Sequence, residues 1–237
     1  MNKFSHKGSE KKKLVTRLFN DIARRYDFLN HFFSFGIDYY WRNRLVKSIN
    51  PKIDYVVLDV ATGTGDVAFK LAPKTKNVTG IDIASNMIDL ANKKKDKKKA
   101  LNVNFLVGDA EKLPFEDNTF DIITISYGYR NISDQPKALK EFNRILKNKG
   151  RLFILEFSEP TSRIIGPLYK FYSYKVMPFV ASIFTKKYAY DYLPESIDMF
   201  PSREEIKKTL EDNNFSNVNI TDMTFGISSI FSGQKNE

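Results

Sequence analysis

The chain has 237 residues, 42% of them hydrophobic and 14% aromatic, enough for one large domain with a full core. It contains no cysteine, which excludes disulfides, thiolate nucleophiles and cysteine metal sites, and with two histidines any metal would have to rest mostly on carboxylates. The formal charge of +10 suits nucleic acid, an anionic membrane face or an anionic small molecule, and does not choose among them.

The N-terminus is polar and lysine-rich, without the apolar core of a signal peptide, and no run approaches the roughly 18 apolar residues of a spanning helix, so a cytoplasmic protein is expected. Two lysine runs, Lys11–Lys13 and Lys93–Lys99, lack interleaved aromatics and read as solvated helix ends. Between Leu14 and Asn30 apolar residues recur every three or four positions, predicting an amphipathic helix. The segment from Phe28 to Asp38 is crowded with rings, most reading as core and some as a roof for a flat apolar ligand. Tyr39-Tyr40-Trp41 then open a second helix to about Ile49.

Val56–Val60 predicts a buried parallel strand, and Thr62-Gly63-Thr64-Gly65 a sharp turn before a helix from Asp66 to Ala72. A second strand, Asn77 to Ile83, carries Asp82, placed 17 residues beyond Gly65 where an acid can accept hydrogen bonds from both hydroxyls of a ribose. Its competing role is to cap the helix running from Ser85 to about Lys95, for which Ser85 or Asn86 is better placed. After a third strand, Val103–Val107, Asp109 can receive the exocyclic amine of adenine and the backbone of Ala110 can meet the ring edge. The fourth strand, Phe120–Ser126, runs into Tyr127-Gly128-Tyr129-Arg130-Asn131.

A helix from Gln135 to Leu146, broken by Gly150, precedes the fifth strand, Arg151–Phe157. Ile164 to Phe184 is helical and ring-rich, punctuated by Pro167 and Pro178, and reads as a packed pair or a lid over an apolar substrate or membrane surface. Ser202, with Glu205 in capping-box spacing, starts a last helix to Asn213. Strands near Val218–Ile220 and Phe225–Phe231 close the sheet as an antiparallel edge hairpin. The alternation predicts a doubly wound, mainly parallel, seven-stranded α/β sheet in one domain, with an N-terminal helical cap (10–50) and a helical insertion (160–200) after the fifth strand.

The glycine turn lacks the third glycine of the dinucleotide fingerprint, having Ala68 there, and the helix start carries Asp66, which repels phosphate. The implied ligand is a nucleoside without phosphates, and S-adenosylmethionine fits: its ammonium can face Asp59 or Asp66 while its carboxylate meets turn N–H groups. Asp59 and Gly63 enter the expected cofactor site from this turn geometry.

The stretches Leu58–Asp66, Gly80-Ile81-Asp82 and Gly108–Phe115 resemble the motifs of class I methyltransferases. Phe19–Asn30, Tyr127–Asn131, Leu155–Ser158 and Tyr192–Ile197 narrow this to a resemblance to the UbiE/MenG family, over nearly the whole chain. That family C-methylates quinol rings in menaquinone and ubiquinone synthesis. The resemblance implies a Rossmann-like fold and cofactor contacts at Thr64, Asp82, Asp109, Ala110 and Ser126. The family's usual phenylalanine or valine and leucine are replaced by Tyr127 and Tyr129.

A quinol carbon becomes nucleophilic when the neighbouring hydroxyl ionises, so the site needs a cation near that oxygen and a route for the proton. Arg130 is the expected oxyanion stabiliser, assisted by Asn131 or Tyr127, with pairing to an acid such as Glu156 as its structural alternative. Tyr26 and His31 are further candidates for substrate contact. Methyl transfer needs alignment, so no metal is implied. The expected substrate is demethylmenaquinol, with lysines steadying the protein on anionic lipid and no nucleic acid partner. The alternatives are a ubiquinone precursor, an RNA or protein methyltransferase, and a non-catalytic nucleoside-binding module.

Overall fold

The computed structural model describes residues 8–184, 192 and 195–236. Its strands are β1 (Val56–Val60), β2 (Asn77–Asp82), β3 (Val103–Val107), β4 (Phe120–Ser126), β5 (Leu146–Phe157), β6 (Phe215–Met223) and β7 (Ser228–Lys235), in one sheet ordered β3-β2-β1-β4-β5-β7-β6. Pairing is parallel from β3 through β5, and β7 runs antiparallel to both β5 and β6. The chain reverses its winding direction between β1 and β4, and ligand crevices form at the carboxyl ends of strands flanking such a switch.

The aliphatic run of β1 is buried because both sheet faces are covered. One face carries α2 (Ile37–Ile49), α3 (Asp66–Leu71) and α4 (Ser85–Lys98), whose Trp41, Leu45, Leu71 and Ile88 join Val57 and Phe105 in a core. On the other, α5 (Gln135–Ile145) and α8 (Arg203–Asp212) bury Leu139, Phe142, Ile206 and Leu210 against Leu58 and Ile123. The long α1 (Gly8–Phe33) lies outside these layers and packs Leu18, Ile22 and Leu29 with Met87, Met177 and Tyr192. The last two belong to the insertion, where α6 (Ile165–Phe171) and α7 (Met177–Phe184) are joined by a π-helical turn, Tyr172–Val176.

Several boundaries differ from expectation for local reasons. Helix α1 begins before Leu14, because Lys11 and Lys12 are fastened to loops of the sheet. Gly150 does not end a helix: α5 stops at Ile145, and β5 already starts at Leu146 with a bulge near Lys149, whose φ is 62°. A Cβ on Gly150 would come within 2.8 Å of the Lys147 carbonyl, so glycine is needed for the bulge. Phe225 is in the turn before β7, not in the strand, with φ 57° next to Thr224 at 49°. Pro178 lacks the N–H for an unbroken helical ladder, and the wider turn falls just before it. The capping box of α8 is present as predicted. Leu193 and Pro194 lie outside the described residues.

Candidate active site

Three adjoining spaces open at the carboxyl ends of β1, β2 and β4. The first, about 710 Å³, is bounded by Gly63, Asp82, Asp109, Ala110, Ser126 and Asn131, and roofed by Lys12, Val15 and Phe19 of α1. Asp82 is buried at the end of β2 and accepts from the N–H groups of Gly63 and Ala84, each at 2.9 Å. A carboxylate offers about four lone-pair sites, so Asp82 keeps acceptor capacity toward the space. Burial raises its pKa, opposed by those backbone donors. Neither Ser85 nor Asn86 caps α4: Ala84 occupies the cap position without a side-chain bond, and the N–H of Asn86 goes to Asn20.

Asp109 is not left to solvent. Lys12 bridges it at 2.7 Å to Glu111 at 2.6 Å, while Lys11 donates to the carbonyls of Arg130 and Ile132 at 2.8 and 2.9 Å. The reading of this lysine run as a solvated helix end is therefore corrected: two of its members fasten α1 across the site. The second run is corrected in part, since Lys94 pairs with Asp27 at 2.7 Å and Asp66 at 3.2 Å and donates to Thr64 at 2.7 Å. The Ser126 hydroxyl is buried without a partner among the described residues, on the wall of this space.

A smaller space of about 320 Å³ lies behind the glycine turn, lined by Asp59, Thr62, Gly63, Thr64, Asp66 and Arg42. Asp59 accepts from the hydroxyls of Thr62 and Thr124, each at 2.6 Å, and burial pushes its carboxyl up to about 6. The expectation that turn amides are available to a carboxylate is corrected for three of them. Thr62 donates to the Ile81 carbonyl, Gly63 to Asp82 and Gly65 to the Thr62 carbonyl.

The largest of the three, about 1030 Å³, is walled by Leu18, Ile22, Phe33, Trp41, Tyr169, Tyr172 and Met177, with Arg130 and Arg42 as its cations. Phe19, Tyr26 and Tyr127 border both this space and the first, so the two are separated by rings. Tyr127 has φ 57°, a left-handed backbone that costs a side chain about 1–2 kcal/mol, and Gly128 follows with Ala61 2.5 Å from where a Cβ would sit. The Tyr127 hydroxyl is turned to Ser228 at 3.1 Å, and its carbonyl accepts from Arg130 at 2.8 Å and Asn131 at 3.4 Å. Asn131 in turn accepts from the Tyr192 hydroxyl at 2.8 Å.

Arg130 is buried and pairs with Glu156 at 2.5 Å, the structural alternative set against its expected role, and also donates to Ser196 at 3.2 Å. Burial raises the Glu156 carboxyl, opposed by the Arg130 charge. Among the described residues Nη2 of Arg130 makes no hydrogen bond, so the guanidinium retains a donor on a chamber wall. His31 lines none of the three spaces: its Nδ1 meets Asp38 at 2.7 Å and its ring stacks on Tyr39. The Asp38 bond and the Tyr39 stack fix the ring in that position.

Residues 6–235 match the sequence profile of the ubiE/COQ5 methyltransferase family. The chain belongs to that family. It is 43% identical to the ubiquinone/menaquinone biosynthesis C-methyltransferase UbiE of Geotalea daltonii over 96% of this chain and 98% of that one. To the protein of the same name from Rickettsia bellii it is 41% identical over 97% and 95%. Among solved structures, a methyltransferase from Thermotoga maritima described as a possible histamine N-methyltransferase superposes with a TM-score of 0.68, at 21% identity over 93% of this chain and 99% of that one, a likeness of fold.

As a methyltransferase of this family the protein uses S-adenosylmethionine, which supplies an electrophilic methyl group. The pair of smaller spaces suits that molecule: acids and an orphaned hydroxyl surround one, acids and an arginine the other. Sequence reasoning missed Lys12, Lys94 and Arg42. Lysines in a run carry no local sign of their partners, and Arg42 reads from sequence as one more cation on a surface helix.

Proposed function

We propose that this methyltransferase C-methylates the ring of a prenylated quinol, converting demethylmenaquinol to menaquinol. The observation that carries the reading is the aromatic chamber of about 1030 Å³ that shares Phe19, Tyr26 and Tyr127 with the polar cavity, which suits a flat ring with an apolar tail. Asp82 would hold the ribose hydroxyls, Asp109 and Ala110 the adenine edge, Ser126 and Asn131 the intervening wall, and Asp59, Gly63 and Thr64 the turn beneath the amino-acid end. On the quinol side, Arg130 would stabilise the oxyanion through its remaining donor while Glu156 fixes its orientation. Asn131 and Tyr127 act through the backbone and ring geometry that place Arg130, and Tyr26 borders the reacting pair.

Around the chamber, Phe35, Leu168, Phe171 and Phe179 expose more than half of their surface, an arrangement suited to contact with the membrane that holds such a quinol. No helix among the described residues is long and apolar enough to cross a membrane, so the proposed association is peripheral, on the inner leaflet. It is tested by sedimentation with anionic liposomes at low salt, where absence of binding removes it.

Incubation with methyl-labelled S-adenosylmethionine and short-chain demethylmenaquinol, a ubiquinone precursor or total RNA tests the function. Label in the menaquinol product is expected. Label mainly in the ubiquinone precursor or in RNA would move the substrate assignment, and cofactor binding without transfer to any acceptor would favour a non-catalytic module.

A further inference from the structure

The cofactor's amino-acid end is a zwitterion, and the space behind the glycine turn is unequally provided for its two charges. Two carboxylates line it toward an ammonium, Asp59, which also accepts from Thr62 and Thr124, and Asp66, which Lys94 shares at 3.2 Å. For a carboxylate, three amides of the turn are already committed within the protein, while Lys94 is held by Asp27, Asp66 and Thr64. The remaining cation on that wall is Arg42, buried at 5% exposure on α2.

Three features prepare Arg42 for an anion. Its Nη1 is paired with the buried Asp38, which is itself fixed by Ser34 and His31, each at 2.7 Å. The group stands 5.7 Å from the Tyr127 ring centroid, and its Nη2 lies 3.9 Å from Asp66, a loose approach that a better-placed anion can outcompete. A guanidinium has five donors in a planar fork that matches a carboxylate, and among the described residues Asp38 alone accepts a hydrogen bond from it.

We infer that Arg42 binds the carboxylate of the methionine end of S-adenosylmethionine, with Asp59 and Asp66 facing its ammonium. The inference rests on S-adenosylmethionine as the methyl donor. It makes α2, an element ahead of the sheet, part of the cofactor site, and gives the Asp38–His31 pair the task of aiming a guanidinium. Arg42 also borders the aromatic chamber, where it could instead serve a substrate oxyanion. The two roles separate experimentally.

Calorimetry of the full chain with S-adenosylhomocysteine, its decarboxylated analogue and methylthioadenosine reads the role directly. The wild type is expected to prefer the carboxylate-bearing ligand. In Arg42→Gln that preference should fall by roughly 10- to 100-fold, the worth of a charged hydrogen-bonded contact, with methylthioadenosine affinity unchanged. If a lone Asp38 prevents folding, the double variant Asp38→Asn with Arg42→Gln removes both charges and should give the same loss. An unchanged preference, or equal weakening of all three ligands, overturns the inference. So does a drop in kcat at saturating cofactor with the preference intact, which would assign Arg42 to the substrate. Failure of the wild type to bind any of the three would overturn the cofactor assignment itself, and the inference with it.

Discussion

The polar cavity and the aromatic chamber share three rings but are built on different plans. The cavity takes its acids from the ends of adjacent parallel strands, Asp82 ending β2 and Asp109 after β3, with the Thr62–Gly65 turn after β1 beside them. The chamber is assembled from α1 and α2 together with the insertion, which follows them by more than a hundred residues, and its cations are buried in ion pairs with Glu156 and Asp38. One region is set by groups fixed by the sheet, and the other by a shape that exists once distant helices have packed. Substitutions in the first should therefore cost affinity, and in the second turnover and stability together.

The largest effect is expected at Arg130. Alone, Arg130→Met leaves Glu156 buried and unpaired, a defect worth about 3–5 kcal/mol of stability. Paired with Glu156→Gln it should fold, bind S-adenosylhomocysteine normally by calorimetry, and lose about 10²–10³ in kcat. Retained kcat in the folded double variant would reduce Arg130 to a strut.

Asp59 gives a pH signature on the cavity side. Its folded pKa of about 6 exceeds the ordinary 3.8, so between these values the folded state holds more protons than the unfolded chain. Its contribution is therefore most favourable below the ordinary value and is lost as pH rises through about 6, by ~3 kcal/mol in all. Denaturant unfolding should show wild type losing that much relative to Asp59→Asn between about pH 4 and 7. A difference that stays flat across the range would place the titration elsewhere.

Asp82→Asn should weaken cofactor binding by about 10- to 100-fold with little change in the Michaelis constant for quinol. An equal change in both would show that the two regions do not separate. Gly128→Ala, which drives a methyl into Ala61, should cost about 1–3 kcal/mol in thermal unfolding, partly restored by Ala61→Gly. Smallest is Lys12→Gln: the partly exposed bridge to Asp109 and Glu111 is worth about 1 kcal/mol or less, and its loss should flatten the salt dependence of cofactor affinity.

The same division explains what could be read from the sequence. The first four strands appeared at or within a residue of their observed limits, β1 and β4 because central parallel strands are nearly continuous apolar runs. Asp82 and Asp109 followed, since a strand end determines where its next residue points. Arg42 and Lys12 did not: Lys12 meets Asp109 across 97 positions, and Arg42, though paired with Asp38 one turn back, reaches the glycine turn only by helix packing. His31 stood in a ring-rich stretch of which Phe33 lines the chamber, and packing engages its own ring with Asp38 and Tyr39. Arg130 was legible as a cation just beyond the end of β4. Its burial with Glu156 depended on the pairing of β5 beside β4.

Helix α1 runs for 26 residues, about 39 Å at 1.5 Å per residue, with Lys12 and Val15 over the polar cavity and Ile22 and Phe33 over the aromatic chamber. A rod of that length has no door that belongs to one ligand alone. One helix therefore walls both spaces at once, and a shift of α1 at either end reshapes the cavity and the chamber together.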